Sequence, residues 1–311
     1  MGAAFTGFAT IWVVVGVGWL LAGLGLVTAK DQRFLSNVSF LVAMPALLFT
    51  LVSDGSLTHL FSKTLAVNVI AIAVAGGTYL VLAKMVFRPS TGESVIGFMA
   101  SCYTNAGNLG LPIAAHLLGD MAWMAPILLV QVGIIQPTCL AVLDMERART
   151  GGVRLSARRY LTLPLRNPIT VGILAGLAVN VTGVQLPEFI LSPVGMLGNM
   201  AVPMMLIMLG VSLRLDPRPG RGAHASQLWT IQAIKVVVHP LAAFLVGKYG
   251  FGLAPADVLA VTVIAALPTA QNVFVISSRY RVGEVLARDS VFWSTLLTVG
   301  SIFCPAVFLP S

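Results

Sequence analysis

Ten apolar stretches, each close to the length of a bilayer crossing, occupy most of this 311-residue chain, and no other feature restricts its fold so tightly. A helix needs roughly 20 predominantly apolar residues, within a range of about 17–25, to cross the hydrocarbon core. The stretches run near 5–28, 35–53, 63–84, 94–118, 122–143, 165–183, 190–213, 228–248, 256–278 and 287–309. Short polar turns separate them, among them Lys30-Asp31-Gln32-Arg33, Ser53-Asp54-Gly55 and Arg88-Pro89-Ser90. One break is longer, from Asp144 to Leu163. Apolar residues make up 57% of the chain and charged residues 10%, against about 45–50% and about 25% in soluble domains. A water-soluble core of this size cannot absorb that excess. The chain reads as an all-α polytopic membrane protein, which excludes a soluble enzyme and a disulfide-stapled secreted domain.

Cys102, Cys139 and Cys304 lie inside apolar stretches at irregular spacing. They read as small buried hydrophobes rather than as a disulfide framework or a zinc site. The first stretch carries no Lys or Arg before Lys30, whereas a signal peptide has a basic segment ahead of a shorter apolar run. It is expected to be a retained span that begins outside the cytoplasm.

The basic residues orient the helices. Of the 19 Lys and Arg, sixteen fall at the ends joined by loops after odd-numbered spans: Lys30, Arg33, Lys84, Arg88, the cluster from Arg147 to Arg159, Arg166, Arg214, Arg218, Arg221, Arg279, Arg281 and Arg288. Only Lys63 and Lys248 fall at the opposite ends, and Lys235 lies within the eighth span. Lys and Arg concentrate in cytoplasmic loops, so both termini are expected outside a plasma (inner) membrane, with the arginine-rich central loop inside. The net charge of +8 would suggest nucleic acid as a partner for a soluble protein. Here topology accounts for it, and no nucleic-acid partner is expected.

The central loop divides the chain into residues 1–143, a basic linker 144–163, and residues 164–311. Each half holds five spans, an odd number, so the second half must be inverted relative to the first. Met44-Pro45-Ala46-Leu47-Leu48 in the second span matches Val202-Pro203-Met204-Met205-Leu206 in the seventh, with Pro45 and Pro203 as candidate hinges. Pro45 lies 67 residues before Pro112 in the fourth span, and Pro203 lies 65 before Pro268 in the ninth. Inverted repeats with interrupted helices and a midplane substrate site are a recurring plan of secondary transporters.

The fourth span carries the densest polar insertion, Ser101-Cys102-Tyr103-Thr104-Asn105-Ala106-Gly107-Asn108-Leu109-Gly110-Leu111-Pro112, at its centre. Pro112 has no N–H to bond back to the Asn108 carbonyl, and it disfavours helical geometry at Leu111. Gly107 and Gly110 lower the cost of unwinding. Unpaired backbone groups survive in hydrocarbon only within protein or beside a wet cavity. The ninth span offers a counterpart in Ala265-Ala266-Leu267-Pro268-Thr269-Ala270-Gln271-Asn272. Inverted repeats would bring both breaks to one depth, where they would cross. A helix N-terminus carries roughly half a positive charge and free N–H groups, so two such ends suit a carboxylate. Asn105, Asn108, Gln271 and Asn272 would orient it through side-chain hydrogen bonds.

The run Thr104-Asn-Ala-Gly-Asn-Leu-Gly-Leu-Pro-Ile113 resembles the broken-helix motif of the auxin efflux carrier family. Leu267-Pro-Thr-Ala-Gln-Asn272, continuing to Ser277-Ser-Arg-Tyr280, and the run from Pro203 to Leu213 resemble it as well. The resemblance spans the chain. It implies ten helices in two inverted five-helix repeats, a plan shared with bile-acid symporters and sodium/proton antiporters. It also implies transport of small organic anions, with the asparagines and prolines of the crossover forming the site, Gln131 in the fifth span near the substrate, a homodimer, and a transport domain moving against a scaffold. The long cytoplasmic loop of plant members is missing, which argues against plant-type kinase regulation and against auxin itself.

All 11 acidic residues fall at loops or span ends. A sodium/proton exchanger on this plan would hold a carboxylate near the midplane, because intramembrane carboxylates are costly and kept for ion relays. Two couplings fit instead: uniport of an anion, or sodium held by carbonyls and amides. Outward movement of a monovalent anion gains about 2.3 kcal/mol per 100 mV of inside-negative potential, so export needs no coupling ion. Lys235 is expected to snorkel to the cytoplasmic side, and His116 and His239 to serve as hydrogen-bonded structural residues. Gly172 and Gly176 form a small-xxx-small pair suited to helix packing or a dimer.

The leading expectation is therefore an exporter of small organic anions, and the alternative is a sodium-coupled symporter resembling the bile-acid carriers. No cofactor is implied apart from sodium in that alternative. An enzyme is not expected, since the chain has no His-Glu-x-x-His or Gly-x-Ser-x-Gly motif. Replacing Asn108 or Asn272 with Ala should abolish substrate binding while the protein still extracts folded from membranes. Unchanged affinity in both variants would refute this placement of the site.

Overall fold

Several helices begin where a side chain takes over backbone bonding. In the computed structural model, which describes residues 2–54, 62–110, 113–151, 167–216, 218–222 and 224–308, α1 spans Gly2–Gly23 and α2 spans Ala29–Ser53. Asp31 in the first turn of α2 accepts the Thr28 N–H at 2.9 Å. Helix α3 (Lys63–Phe87) starts at Ser62, whose hydroxyl accepts from Leu65 N. Helix α4 (Thr91–Cys102) starts with a reciprocal box in which Glu93 N donates to Ser90 Oγ and Ser90 N donates to Glu93 Oε2. Such caps satisfy N–H groups that have no partner inside the helix. There follow α5 (Pro126–Thr150), α6 (Pro168–Thr182), α7 (Glu188–Asn199), α8 (Ala201–Leu215) and α9 (Ala225–Gly250). The chain ends with α10 (Pro255–Ala266), α11 (Asn272–Tyr280) and α12 (Glu284–Phe308). Asn167 caps α6 by accepting from Ile169 N.

Three of these helices run through a proline just after a π-helical turn. Pro45, Pro137 and Pro240 each follow a π-helical turn that ends two residues earlier: Ser39–Ala43, Gln131–Ile135 and Ile234–Val238. A proline ring clashes with the carbonyl four residues back and has no N–H to give. Widening the preceding turn by one residue moves that carbonyl aside. At Pro45 the helix therefore widens and continues to Ser53. Pro203 lies just inside α8, three residues after the Met200 turn that separates α7 from α8.

Glycines let backbones approach. Gly18 of α1 lies against Ile207 of α8, and Gly210 of α8 lies against Val15 of α1. A Cβ at Gly172 of α6 would stand 2.5 Å from the Pro45 carbonyl oxygen, and one at Gly176 would stand 2.6 Å from that of Phe49. This small-residue pair is thus used inside the chain, against α2. Helices α1, α2, α6, α7 and α8 pack on one another as one group. Helices α3, α4, α9, α10 and α12 pack as a second, in which the Tyr79 ring of α3 covers Gly97 of α4 and the Tyr79 hydroxyl accepts from Gln227 of α9.

The outer surface is apolar and the interior holds amides and hydroxyls, the reverse of a water-soluble helical protein. Leu24, Val81, Met85, Ile134, Val181, Phe189 and Met196 face outward, while Asn68, Thr104, Asn105, Gln131, Gln136 and Gln232 are buried. Helices α2, α3, α5, the run Glu188–Leu215 and α9 are long and apolar enough to cross a membrane. The shorter apolar helices are Trp12–Gly23, Pro168–Thr182 and Pro255–Ala266.

Two sequence expectations are corrected. Lys235 does not snorkel: it is 1% exposed, because the π turn of α9 points it inward onto the Ala265 carbonyl, 3.2 Å from Nζ. Arg288 is fully buried and bonds to Asp289 at 2.5 Å and Asp216 at 3.6 Å, so it ties α12 to the end of α8 rather than standing in a loop.

Substituting Gly172 or Gly176 with Ala should destabilise the extracted protein by about 1–3 kcal/mol, since the new methyl group meets backbone that cannot move aside. Gly77, whose Cβ would meet nothing within 4 Å, is the control. Melting temperatures of the three variants check this, with Gly77→Ala expected at or above the parent.

Candidate functional site

Helix α4 stops at Cys102 and α10 stops at Ala266. Tyr103 and Leu267 then turn extended, with ψ of 106° and 147°. The segments beyond run antiparallel through a bridge between Thr104 and Thr269. Asn105 N donates to the Pro268 carbonyl at 2.8 Å, and Ala270 N donates to the Tyr103 carbonyl at 3.1 Å. Each segment thus satisfies backbone groups that unwinding of the other leaves open. Thr269 secures the crossing on both sides. Its hydroxyl donates to the Ala100 carbonyl at 2.6 Å, and its N–H donates to Ser294 Oγ of α12 at 3.0 Å.

Beyond the crossing the chain re-enters helix as a π turn, Ala106–Gly110, on one side and as α11 on the other. The start of α11 is tighter than a free helix end: Val273 N and Phe274 N bond back to the Ala270 and Gln271 carbonyls. Side-chain amides accordingly carry more of the site's polarity than the expected row of free N–H groups.

Five amides, a phenol and a threonine hydroxyl make side-chain hydrogen bonds around the crossing. Asn105 Nδ2 donates to Gln271 Oε1 at 3.0 Å, and Gln131 Nε2 donates to Thr104 Oγ1 at 2.6 Å. The Tyr103 hydroxyl and Asn272 Nδ2 both donate to Gln136 Oε1, at 2.9 and 3.0 Å. Gln131 Oε1, Gln136 Nε2 and Asn272 Oδ1 are buried without a protein partner among the described residues. Buried polar atoms left unsatisfied cost about 1–3 kcal/mol each, so these three call for a partner from water or a ligand.

A cavity of about 190 Å³ opens on this cluster. Thr104, Asn105, Gly107, Gln131, Gln271 and Asn272 form its polar wall; Met44, Leu47 and Leu48 of α2, with Val202 and Met205 of α8, form its apolar wall. The stretches at Pro45 and Pro203 therefore flank the cavity from the opposite group of helices. Sites for drug-sized ligands are about 300–1,000 Å³, so this one suits a smaller molecule. A roomier cavity, about 350 Å³, lies among Glu93, Arg221, His224, Arg281, Glu284 and Asp289. Its mixed charges line the helix ends and select no single ligand sign.

The structure brings Asn105, Gly107, Gln131, Pro268, Gln271 and Asn272 together. Gly110 stands behind them, where a Cβ would press on Met124 Sδ at 2.9 Å and Leu267 Cδ1 at 3.0 Å. Pro112 and the side chains of Asn108 and His116 lie outside the described residues, as does most of the linker. Sequence reasoning missed Tyr103, Thr269 and Gln136. Gln136 is five residues from Gln131, which in an α-helix turns it well away. The π turn Gln131–Ile135 stacks residues five apart, and both glutamines reach the crossing. The signal was Pro137, whose presence calls for such a turn.

An all-helical chain with an apolar exterior and a small buried amide-lined cavity has the design of a membrane transporter. A family model described as "Membrane transport protein" matches residues 3–304, and the chain belongs to that family, the auxin efflux carrier family. It is a multi-pass membrane protein and not an enzyme. It is 26% identical over 302 residues to a Rhizobium meliloti protein named "Putative malonate transporter", covering 93% of this chain and 90% of that one. An uncharacterized transporter of Methanocaldococcus jannaschii is 23% identical over 300 residues, 93% of each chain. Another from Methanothermobacter thermautotrophicus is 25% identical over 296 residues, 94% of each chain.

Gln136→Leu removes the acceptor shared by Tyr103 and Asn272 and should cost about 1–3 kcal/mol, read as a lowered melting temperature. Ile134→Ala on the exposed face of the same turn should change it little.

Proposed function

We propose that the protein is a secondary carrier that exports small organic anions, carboxylates foremost, by alternating access at the crossing. The observation that carries this reading is the small cavity walled by Asn105, Gln131, Gln271 and Asn272, with no acidic side chain among the described residues that line it. Amides and a helix start favour an anion without a buried counter-charge. The name of the Rhizobium relative points to malonate as the first substrate to try. On this reading α4 and α10 are the first halves of two interrupted membrane-crossing helices, in a topology of ten spans with both termini outside a plasma membrane. The order of elements supports two inverted repeats: the stretches next to Pro45 and Pro203 flank the cavity from α2 and α8, through Met44 and Val202, and the two interruptions pair at Thr104 and Thr269. The separation into two helix groups, with the cavity between them, supports elevator-like movement of the crossing group against a scaffold of α1, α2, α6, α7 and α8, in a homodimer.

Outward export driven by potential has a simple signature. In proteoliposomes, an inside-positive potential should accumulate labelled malonate, since about 2.3 kcal/mol per elementary charge per 100 mV corresponds to about fifty-fold at equilibrium for each charge carried, and malonate carries up to two. Replacing sodium with choline should leave the rate unchanged. A strict sodium requirement would instead support symport, and no uptake of any small carboxylate would remove the substrate class.

A further inference from the structure

Where α11 and α12 meet α2 and α8, polar contacts join the crossing group to the scaffold. The cavity is lined along α2 by Met44, Leu47, Leu48 and Leu51, and along α8 by Val202 and Met205. It thus flanks the second half of α2 (Ala29–Ser53) and the first half of α8 (Ala201–Leu215). The remaining halves of the same two helices are tied to α11 and α12. Arg279 of α11 donates to Asn37 Oδ1 of α2 at 3.3 Å, and its guanidinium lies 5.6 Å from the centre of the Phe40 ring. Tyr280 packs edge-on against that ring and accepts from Asn167, the cap of α6, at 3.1 Å. Arg288 of α12 reaches Asp216 at 3.6 Å and the Ser212 carbonyl at 3.4 Å, at the end of α8.

These contacts are able to part. Arg288 Nε donates to Asp289 of its own helix at 2.7 Å, so it keeps a carboxylate when α8 withdraws and is not left as a bare buried charge. The Asp216 side chain is 40% exposed and accepts from the Ser212 hydroxyl of its own helix. Arg279 is held by an amide oxygen and a ring face, both uncharged. A cavity of about 270 Å³ lies beside them among Gln32, Arg33, Asp216, Ser278, Arg281 and Glu284. Its polar walls give water partners as the two surfaces separate. We infer that the Arg288–Asp216 pair, with Arg279 and Tyr280 on Phe40, is a releasable latch that holds the crossing group to the scaffold on one side of the cavity. Access to the cavity from that side requires the latch to open. The inference rests on the alternating-access reading but not on which anion is carried. Asp216 is a positioning residue in it, since it touches Arg288 and not the cargo.

Leu47→Cys and Val202→Cys, half-buried on the cavity wall from α2 and α8, report which face reaches the cavity. Sealed membrane vesicles of each orientation are treated with a membrane-impermeant maleimide. Lys30→Cys, exposed at the start of α2, marks the latch side, and the parent without an added cysteine sets the background. Both reporters should react fast from the side opposite Lys30 and slowly from the Lys30 side. Asp216→Asn leaves Arg288 paired with Asp289 and should raise labelling from the Lys30 side about three- to tenfold, as a two-state equilibrium shifts when one state alone loses an interaction. Asp216→Glu should restore the parent rate, and Glu188→Gln, an exposed acid at the start of α7, should leave it unchanged. Labelling from both sides in turn, with a rate from the Lys30 side that Asp216→Asn does not alter, overturns the latch alone. No labelling from the Lys30 side in any variant removes the alternating-access reading, and the latch falls with it.

Discussion

Everything at the centre of this protein depends on two backbone hydrogen bonds, Asn105 N to the Pro268 carbonyl and Ala270 N to the Tyr103 carbonyl. In hydrocarbon, a chain that leaves helical geometry finds no water for its freed N–H and C=O groups, each of which costs several kcal/mol. One interruption alone would be unstable. Two at the same place run antiparallel and bond to each other, and Thr269 takes up the Ala100 carbonyl that remains. The crossing is stable because it is double.

That arrangement sorts charge without placing acids at the centre. The proposed substrate side has amides and the start of α11. The opposite side has the end of α10, whose Ala265 carbonyl accepts from Lys235. Full charges of the Arg288–Asp289–Asp216 kind tie α12 to the end of α8, away from the cavity. The supporting helices keep the crossing enclosed through glycines: α1 against α8, and α6 against α2. Close backbone contact of this kind is what holds helices together when lipid is as apolar as their side chains.

Much of this is legible in the amino-acid sequence. Hydropathy marked the helical segments, because a backbone in lipid must satisfy itself and so follows length and composition closely. The polar stretches at 101–112 and 265–272 marked where α4 and α10 end, since glycine, proline and asparagine all weaken helical geometry. Gln136 was not legible, because its direction depends on a π turn that shifts the helical phase. Nor was the burial of Lys235 and Arg288, whose long side chains reach either lipid margin or interior according to which neighbour offers a carbonyl or carboxylate.

The sequence by itself determined that the chain is a membrane protein of helices and that α4 and α10 end at their polar stretches, for these follow from local composition. Only the tertiary structure decided which groups meet. It joined Tyr103, Gln136 and Asn272 into one network, turned Gly172 and Gly176 inward onto α2, and set Lys235 on the end of α10. Hydropathy is summed along the chain, whereas a hydrogen bond between residues 136 positions apart, as for Gln136 and Asn272, depends on how helices rotate and pack.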